Sequence, residues 1–206
     1  MAATGRGSMN IIGFLATLRE IAKTLCLDKN DTVLDIGCGS GIIAYGLSPW
    51  VKHIHGIDIS QKMIERARKN CSDIPNIAFS EGNITRLGIK GNPFSKIIAY
   101  SVLQYLRNEG EVASAFEELS GVLHPKGTAL LAANPDPDKK TAYIQAIHNT
   151  ENADKNMKLV DATLWVDRDR IVDIGESAGL KIEIRDICPE IWQHFYMFNA
   201  VVSHAS

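Results

Sequence analysis

Apolar residues follow two alternating patterns over the first two thirds of the chain. They recur at helical spacing over residues 12–25, which predicts an opening amphipathic helix. Short, nearly continuous apolar runs then alternate with further segments of helical spacing. Buried parallel strands have this apolar character, so the alternation predicts an α/β fold with helices on both faces of a mostly parallel sheet. The first five predicted strands cover residues 32–36, 53–59, 77–79, 97–99 and 128–133.

Helices are predicted between these strands from the same spacing. Ser60 is a candidate N-cap for the helix after the second strand, and the inward face of that helix is expected to carry Met63, Ile64 and Ala67. The basic side chains of the same helix are assigned to its solvated face. The other helices are predicted over residues 41–48, 109–123 and 168–178.

The regular alternation ends after residue 133. Residues 134–138 are rich in turn formers, and residues 135–166 are polar with weak periodicity. The longer of these segments is interpreted either as a lid insertion over the site or as a variable surface insertion. Two more strands, over residues 181–187 and 194–202, complete a sheet of seven strands.

The length and composition are those of one globular domain. The chain has 206 residues, of which 45% are hydrophobic and 22% charged, and it shows no internal repeat. Residues 9–206 are therefore predicted to form a single domain. Residues 1–8 are interpreted as the remnant of an expression tag ahead of a natural start at Met9.

Charge and cysteine spacing disfavour several classes of protein. The formal net charge is −2, without the basic stripe of a nucleic-acid-binding surface, so no nucleic-acid partner is expected. The four cysteines form no CxxC pair, so neither a zinc site nor a disulfide framework is predicted, and the expected location is the cytoplasm. The apolar stretch over residues 11–18 is too short to span a membrane, and no membrane partner is expected.

A glycine-rich loop follows the first predicted strand. Glycine tolerates positive φ and lets a ligand approach the backbone closely. Gly37, Gly39 and Gly41 have the spacing G-x-G-x-G, whereas a dinucleotide pyrophosphate site expects G-x-G-x-x-G. Asp58 closes the next strand, where a carboxylate can accept hydrogen bonds from both ribose hydroxyls of a nucleoside. These features favour an adenosyl cofactor; NAD and a purely structural turn are the alternatives.

On these residues and those that follow, the chain resembles the class I S-adenosylmethionine-dependent methyltransferases, most closely the group that acts on small molecules. The resemblance covers residues 29–133 well and the remainder loosely. The glycine loop matches the family's first motif and Asp58 its second, while Gly82-Asn83-Ile84 matches the third with asparagine in place of the usual aspartate. The resemblance implies a Rossmann-like, doubly wound sheet whose seventh strand is antiparallel, and S-adenosyl-L-methionine as the cofactor.

The resemblance also implies a role for each matching residue. Asp35 would orient the glycine loop and contact the methionine amino group, directly or through water. Asp58 would hold the ribose, and Ile59 and Met63 would flank the adenine. The side-chain oxygen of Asn83 would accept a hydrogen bond from the adenine amino group. The cofactor-binding residues implied in this way are Asp35, Gly37, Cys38, Gly39, Gly41, Asp58, Ile59, Met63, Gly82, Asn83, Ile84, Tyr100 and Ser101.

The acceptor side is predicted from the topology of the sheet. Ligands of open α/β sheets bind beyond the carboxyl ends of the parallel strands. The segment after strand four lies there, and so does the loop over residues 188–193 if strand seven returns antiparallel, as it does in the family. A turn at Asn134 is expected to line the pocket entrance. The side chains predicted to bind the acceptor are Gln104, Tyr105, Asn134, Trp192 and Tyr196.

The chemistry of the family's reaction limits which further groups are expected. Methyl transfer from a sulfonium needs no covalent intermediate, so Cys38 is not expected to be a nucleophile, and no metal is required. A hydroxyl acceptor needs a base, for which a histidine is typical because its unperturbed pKa is near 6.5. His194, at the predicted start of strand seven, is the candidate catalytic residue.

The predicted function is therefore methyl transfer to a small-molecule acceptor at a hydroxyl or carboxylate oxygen. Three alternatives remain at this point. They are methylation of a nitrogen, a non-catalytic subunit that binds the cofactor and assists a partner, and a NAD-dependent oxidoreductase.

Overall fold

A computed structural model describes residues 2–4, 7–8, 10–91, 93–148 and 153–205. The segment interpreted as a tag remnant includes residues 1, 5 and 6, which lie outside this description, and its interpretation stays a prediction. Within it, Ala2–Thr4 and Gly7–Ser8 pair as a short antiparallel ladder. None of the helices in the described ranges combines the length and apolar character that crossing a membrane requires.

Seven strands form the central sheet. In chain order they are β1 (Thr32–Ile36), β2 (His53–Asp58), β3 (Ile77–Glu81), β4 (Phe94–Tyr100), β5 (Leu123–Pro135), β6 (Leu180–Asp186) and β7 (Met197–His204). Their spatial order is β3-β2-β1-β4-β5-β7-β6. The first five strands pair in parallel, and β7 is antiparallel to both of its neighbours. The predicted doubly wound sheet with an antiparallel seventh strand is confirmed.

Helices cover both faces of the sheet because successive strand residues point to opposite sides. Leu34 and Ile36 of β1 face one apolar layer, and Val33 faces the other. The first layer packs against α4 (Glu109–Val122) and α7 (Arg168–Ser177), and the second against α1 (Ile11–Leu25), α2 (Ile42–Leu47) and α3 (Gln61–Asn70). The remaining helices are α5 (Lys140–His148) and α6 (Ala153–Asp161).

In the first half of the chain β3 and β4 are longer than predicted, and α3 differs from the prediction in its side-chain contacts. Met63 is 39% exposed and faces a cavity, so it is not part of the inward face that Ile64 and Ala67 form. Ser60 occupies the N-cap position, but its side chain makes no capping hydrogen bond. The basic face is not wholly solvated, since Arg68 donates to the carbonyl oxygen of Phe79 at 2.8 Å.

The second half differs from the prediction in three places. The segment after β5 contains a 3₁₀ turn and the helices α5 and α6, with residues 149–152 outside the described ranges; whether it is a lid stays a prediction. β5 runs from Leu123 to Pro135, beyond the predicted residues 128–133 at both ends, so Asn134 lies in a strand and not in a turn. β7 begins at Met197, which places His194 in the preceding 3₁₀ turn, Trp192–Phe195.

Candidate active site

A cavity of about 500 Å³ opens at the carboxyl ends of β1, β2, β3 and β4. This volume is within the ordinary range for sites that hold small molecules. Eleven of the residues predicted to bind the cofactor or acceptor line it: Gly37, Gly39, Asp58, Ile59, Met63, Gly82, Asn83, Ile84, Tyr100, Ser101 and Tyr105. The structure thus brings together residues from four strand ends that are up to 68 positions apart in the sequence (from Gly37 to Tyr105).

Three glycines of the loop after β1 have positive φ, but for different physical reasons. A Cβ at Gly37 would lie 2.6 Å from Cγ2 of Val102, and one at Gly41 would lie 2.9 Å from the Phe79 ring. A Cβ at Gly39, whose φ is +54°, would meet no described protein atom within 4 Å. Gly39 therefore leaves space open in the cavity, whereas Gly37 and Gly41 permit close packing.

Asp58 links the end of β2 to the glycine loop. Its Oδ2 accepts a hydrogen bond from the Gly39 N–H at 2.9 Å, and its Oδ1 accepts one from the Ser60 N–H at 2.8 Å. A carboxylate offers about four acceptor positions, so two remain for hydroxyl groups of a ligand. This arrangement fits the ribose of a nucleoside.

Asp35 lies beneath the loop and does not line the cavity. It is 2% exposed, and within the described residues its Oδ2 has no hydrogen-bond partner. Burial and the nearby charge of Asp58 raise the pKa of the Asp35 carboxyl to about 7. A buried carboxyl with an unsatisfied oxygen is suited to a cationic ligand group, reached directly or through a water.

Two further residues of the loop do not line the cavity. Cys38 packs in the apolar layer with α1, α2 and α3, and burial raises the pKa of its thiol. A thiol held protonated is a poor nucleophile, in agreement with the expectation that Cys38 is not one. Gly41 begins α2 and packs against Phe79 and Cys71.

Asn83 lies just beyond β3 with its amide in a defined orientation. Its Oδ1 accepts hydrogen bonds from the backbone N–H of Thr85 at 3.0 Å and from the Thr85 hydroxyl at 3.1 Å. The amide oxygen implied to accept from the adenine amino group is therefore already engaged within the chain. Its amide nitrogen is the end left for a ligand.

Ser101 and Gln104 form a pair at the end of β4. Gln104 Nε2 donates to the Ser101 hydroxyl oxygen at 2.6 Å and lies 3.3 Å from the Ser101 carbonyl oxygen. Ser101 has φ of +61°, a left-handed conformation that is costly for a residue other than glycine. Such strain is common where a backbone is positioned for function.

The predicted acceptor residues do not share one site, although Trp192 contacts Tyr196, with ring centroids 5.4 Å apart. Tyr105 lines the large cavity and is 58% exposed. Gln104 and Asn134 are buried beside a separate cavity of about 10 Å³. Trp192 is 41% exposed, while Tyr196 is fully buried and stacks on Tyr143 with ring centroids 4.1 Å apart.

His194 does not line the large cavity. Its side chain is exposed, and its Nδ1 lies 2.9 Å from the carbonyl oxygen of Ile191. A carbonyl oxygen can only accept a hydrogen bond, so Nδ1 carries the proton and Nε2 is the basic nitrogen. The side chain therefore has the tautomer of a base, in a place apart from the cavity.

Sequence reasoning missed five residues that line the cavity: Ile36, Ser40, Arg66, Val102 and Leu106. Four of them adjoin predicted site residues in the glycine loop or after β4, and widening each motif by one residue finds them. Arg66 is different, because helical spacing places it with the solvated basic residues. In the described ranges no group of three or more His, Cys, Asp or Glu side chains is placed to hold a metal.

The strand order, the glycine loop and the carboxylate at the end of β2 define the class I S-adenosylmethionine-dependent methyltransferases, whose cofactor is S-adenosyl-L-methionine. Residues 33–127 match the family model described as a methyltransferase domain. Together these findings support a methyltransferase of this class.

Two curated relatives that are named as methyltransferases match about half of the chain. The chain is 32% identical over 116 residues to malonyl-[acyl-carrier protein] O-methyltransferase of Halalkalibacterium halodurans, covering 53% of this chain and 41% of that protein. It is 33% identical over 107 residues to 2-phytyl-1,4-naphtoquinone methyltransferase of Nostoc sp., covering 49% and 45%. The chain thus spans about two fifths of the length of these relatives.

A solved structure shows the same fold at low identity. Geranyl diphosphate C-methyltransferase of Streptomyces coelicolor, in complex with Mg²⁺, geranyl diphosphate and S-adenosyl-L-homocysteine, superposes with a TM-score of 0.70 at 11% identity. The match covers 93% of this chain and 78% of that one. At this identity the likeness establishes the fold, and the acceptor has to be argued from the site.

Proposed function

We propose that this chain transfers the methyl group of S-adenosylmethionine to an oxygen of a small molecule, either a hydroxyl or a carboxylate. The observation that carries the proposal is the pairing of Asp58 with Gly39. It joins a carboxylate with two remaining acceptor positions to a loop that is open at Gly39, inside one cavity. Two relatives are named for a malonyl group on a carrier protein and for a quinone. Their names support a small chemical group as the methyl acceptor.

The lining of the cavity suggests how the cofactor is held. Asp58 accepts hydrogen bonds from the ribose hydroxyls, and the apolar side chains of Ile59 and Met63 flank the base. The backbone at Gly37 and Gly39 runs along the amino-acid part, with Asp35 beneath it.

The four cysteines of the chain are free thiols, which supports the proposal of a reducing, cytoplasmic location.

When bound, the cofactor supplies a methyl group that is already activated on a sulfonium. The contribution left to the chain is to hold the acceptor in line with that methyl group. Positioning of this kind can contribute about 7–11 kcal/mol to catalysis. Tyr105 and Ser101, at the end of β4, are the polar side chains of the cavity that we place on the acceptor side.

The proposal is tested by calorimetry and by turnover. We expect the protein to bind S-adenosylmethionine and not NAD, and to release S-adenosylhomocysteine when supplied with fractionated small-molecule pools. Binding of NAD alone would contradict the cofactor assignment. Binding of S-adenosylmethionine without turnover on any pool would favour a non-catalytic subunit.

Affinity for the cofactor is expected to depend on pH through Asp35. Because its pKa is raised to about 7, the carboxyl is largely neutral at pH 6 and charged at pH 7.5. Raising the pH over that interval should strengthen binding of the cationic cofactor by roughly fivefold to tenfold, measured by calorimetry. The Asp35→Asn variant should bind weakly, with an affinity that does not change over the interval.

Without the cofactor the same carboxyl has the opposite effect on stability. The pKa of Asp35 is raised from its ordinary value of 3.8 to about 7 in the folded protein, so between these pH values the folded chain holds a proton that the unfolded chain has lost. The free energy of unfolding should therefore fall as the pH rises from about 4 to about 7. Denaturant titrations of the unaltered protein and of Asp35→Asn measure this difference. Equal pH slopes in the two proteins, together with pH-independent cofactor affinity, would contradict the assignment.

For a hydroxyl acceptor we propose His194 as the base. A base must lie within hydrogen-bond distance of the hydroxyl that attacks the methyl group, so this role requires the 3₁₀ turn Trp192–Phe195 to carry Nε2 to the cavity when the acceptor binds. The His194→Ala variant should then lose about 10²–10⁴-fold in turnover, because a general base contributes that much. Its cofactor affinity should stay within about twofold of the unaltered protein, which makes transfer the affected step.

Two other results for His194→Ala have distinct meanings. A smaller loss with a raised acceptor KM would indicate that His194 positions the acceptor only. Unchanged kinetics would remove His194 from the site and favour a carboxylate acceptor, which is already ionised and needs no base. His204→Ala is a matched control, because that imidazole bonds to the Leu123 carbonyl oxygen in β5 and lies outside the cavity lining.

A further inference from the structure

The end of the cavity beyond β3 carries a polar group, the amide of Asn83, on the side where the base is expected. The spatial order β3-β2-β1-β4 places Asp58 between Ser101 on one side and Asn83 on the other. A nucleoside whose ribose binds Asp58, with its amino-acid part over β1 and β4, must therefore extend its base toward β3. Asn83 lines the cavity there with the apolar side chain of Ile84.

The orientation of the Asn83 amide is set by its own chain. A backbone N–H can only donate, so the side-chain atom that lies 3.0 Å from the Thr85 N–H must be the oxygen. The Thr85 hydroxyl bonds to the same oxygen at 3.1 Å. Turning the amide over would place its nitrogen against that N–H, leaving two donors face to face. Asn83 consequently presents its NH₂ group, and therefore only donors, to the rest of the cavity.

The amide oxygen and the amide NH₂ group of an asparagine bind different groups on the edge of a purine. The 6-amino group of adenine is a donor. The Asn83 amide in this orientation presents no acceptor to it. The ring nitrogens of adenine and the 6-oxo group of hypoxanthine are acceptors, and the NH₂ group can donate to them. A carboxylate at this position would behave differently, because it could accept from Thr85 with one oxygen and from the 6-amino group with the other.

We propose that Asn83 is a specificity-determining residue that makes the nucleoside site tolerant at position 6 of the purine. The site binds nucleoside ligands with a 6-oxo group about as well as those with a 6-amino group. This inference rests on the proposed function, since it takes the ligand to be an adenosyl compound with its ribose on Asp58.

Calorimetry with two product analogues tests the inference without any acceptor. S-adenosylhomocysteine carries the 6-amino group, and S-inosylhomocysteine carries the 6-oxo group. The unaltered protein should bind the two with dissociation constants within about fivefold of each other. The Asn83→Asp variant should favour S-adenosylhomocysteine by more than about tenfold, because a charged acceptor replaces the donor.

Thr85→Val is the matched control. It removes the hydroxyl but keeps the backbone N–H that orients the amide, so the ratio of the two dissociation constants should not change. A preference of the unaltered protein for S-adenosylhomocysteine beyond about fivefold would overturn the inference and leave the proposed function standing. Failure of both analogues to bind would instead overturn the proposed function, and the inference with it.

Discussion

The Gly39→Val variant is expected to fold normally and to lose measurable binding of S-adenosylmethionine. In the structure a Cβ at this position meets no described protein atom within 4 Å, so the fold has room for a side chain. That room is the cavity itself, and a branched side chain there occupies space that the cofactor needs. We expect an affinity loss of at least about 100-fold by calorimetry, with a native-like circular dichroism spectrum.

Backbone strain alone does not explain this loss, and Gly88 allows the two effects to be separated. Gly39 and Gly88 have φ of +54° and +66°, and a Cβ at either position meets nothing within 4 Å. Valine at both sites carries the penalty of a left-handed conformation, about 1–2 kcal/mol. Gly88→Val should therefore show a similar loss of stability but normal binding. Normal binding by Gly39→Val, or equal binding losses in the two variants, would mean that the loop is only a turn.

The parallel half of the fold could be predicted from the sequence because its signals are local. The boundaries of β1 agree with the predicted residues 32–36, since this strand is buried from its second residue onward and ends at the glycine loop. Asp58 and the loop glycines could be found for the same reason: Asp58 is the last residue of β2, the glycine loop begins directly after β1, and the carboxyl ends of parallel strands meet at one edge.

The acceptor side could not be predicted because its structure depends on contacts distant in sequence. The sequence predicts that the seventh strand begins at residue 194, yet Tyr196 stacks on Tyr143 of α5, more than 50 positions earlier. Tyr196 packs in this way because a 3₁₀ turn over Trp192–Phe195 precedes it. As a result β7 begins at Met197, and His194 is exposed. Periodicity within one segment carries no information about a partner helix.

The polarity of Asn83 is an intermediate case. Residue type alone suggests that Asn83 accepts a hydrogen bond, because it stands where the family usually has an aspartate, which can only accept. The sequence also shows a threonine two residues later, and an asparagine oxygen commonly accepts from the backbone N–H at that spacing. The local hydrogen bond to Thr85 therefore had a signal in the sequence, and it reverses which end of the amide faces the ligand.

The Asp58→Ala variant is expected to lose at least tenfold in affinity for S-adenosylmethionine while remaining folded. It removes the acceptor for two ribose hydroxyls, and hydrogen bonds to a charged group contribute about 1.5–3 kcal/mol each. It also frees the N–H groups of Gly39 and Ser60, which Asp58 holds at 2.9 and 2.8 Å. The loss in affinity therefore has two contributions, the lost hydrogen bonds to the ribose and the loss of order in the glycine loop. A second ligand is needed to separate them.

A thermodynamic cycle with 2′-deoxy S-adenosylhomocysteine separates the two contributions. If Asp58 binds the hydroxyls directly, removing one hydroxyl should weaken binding to the unaltered protein but matter little to Asp58→Ala, giving a clear coupling energy. If Asp58 only organises the loop, both proteins should lose the same factor. Glu81→Ala is the matched control, because Glu81 is an exposed carboxylate that pairs in register with Asp58 on the neighbouring strand and does not line the cavity. Its affinity should be unchanged, and a comparable loss there would show that general negative charge at this edge, and not the position of Asp58, determines binding.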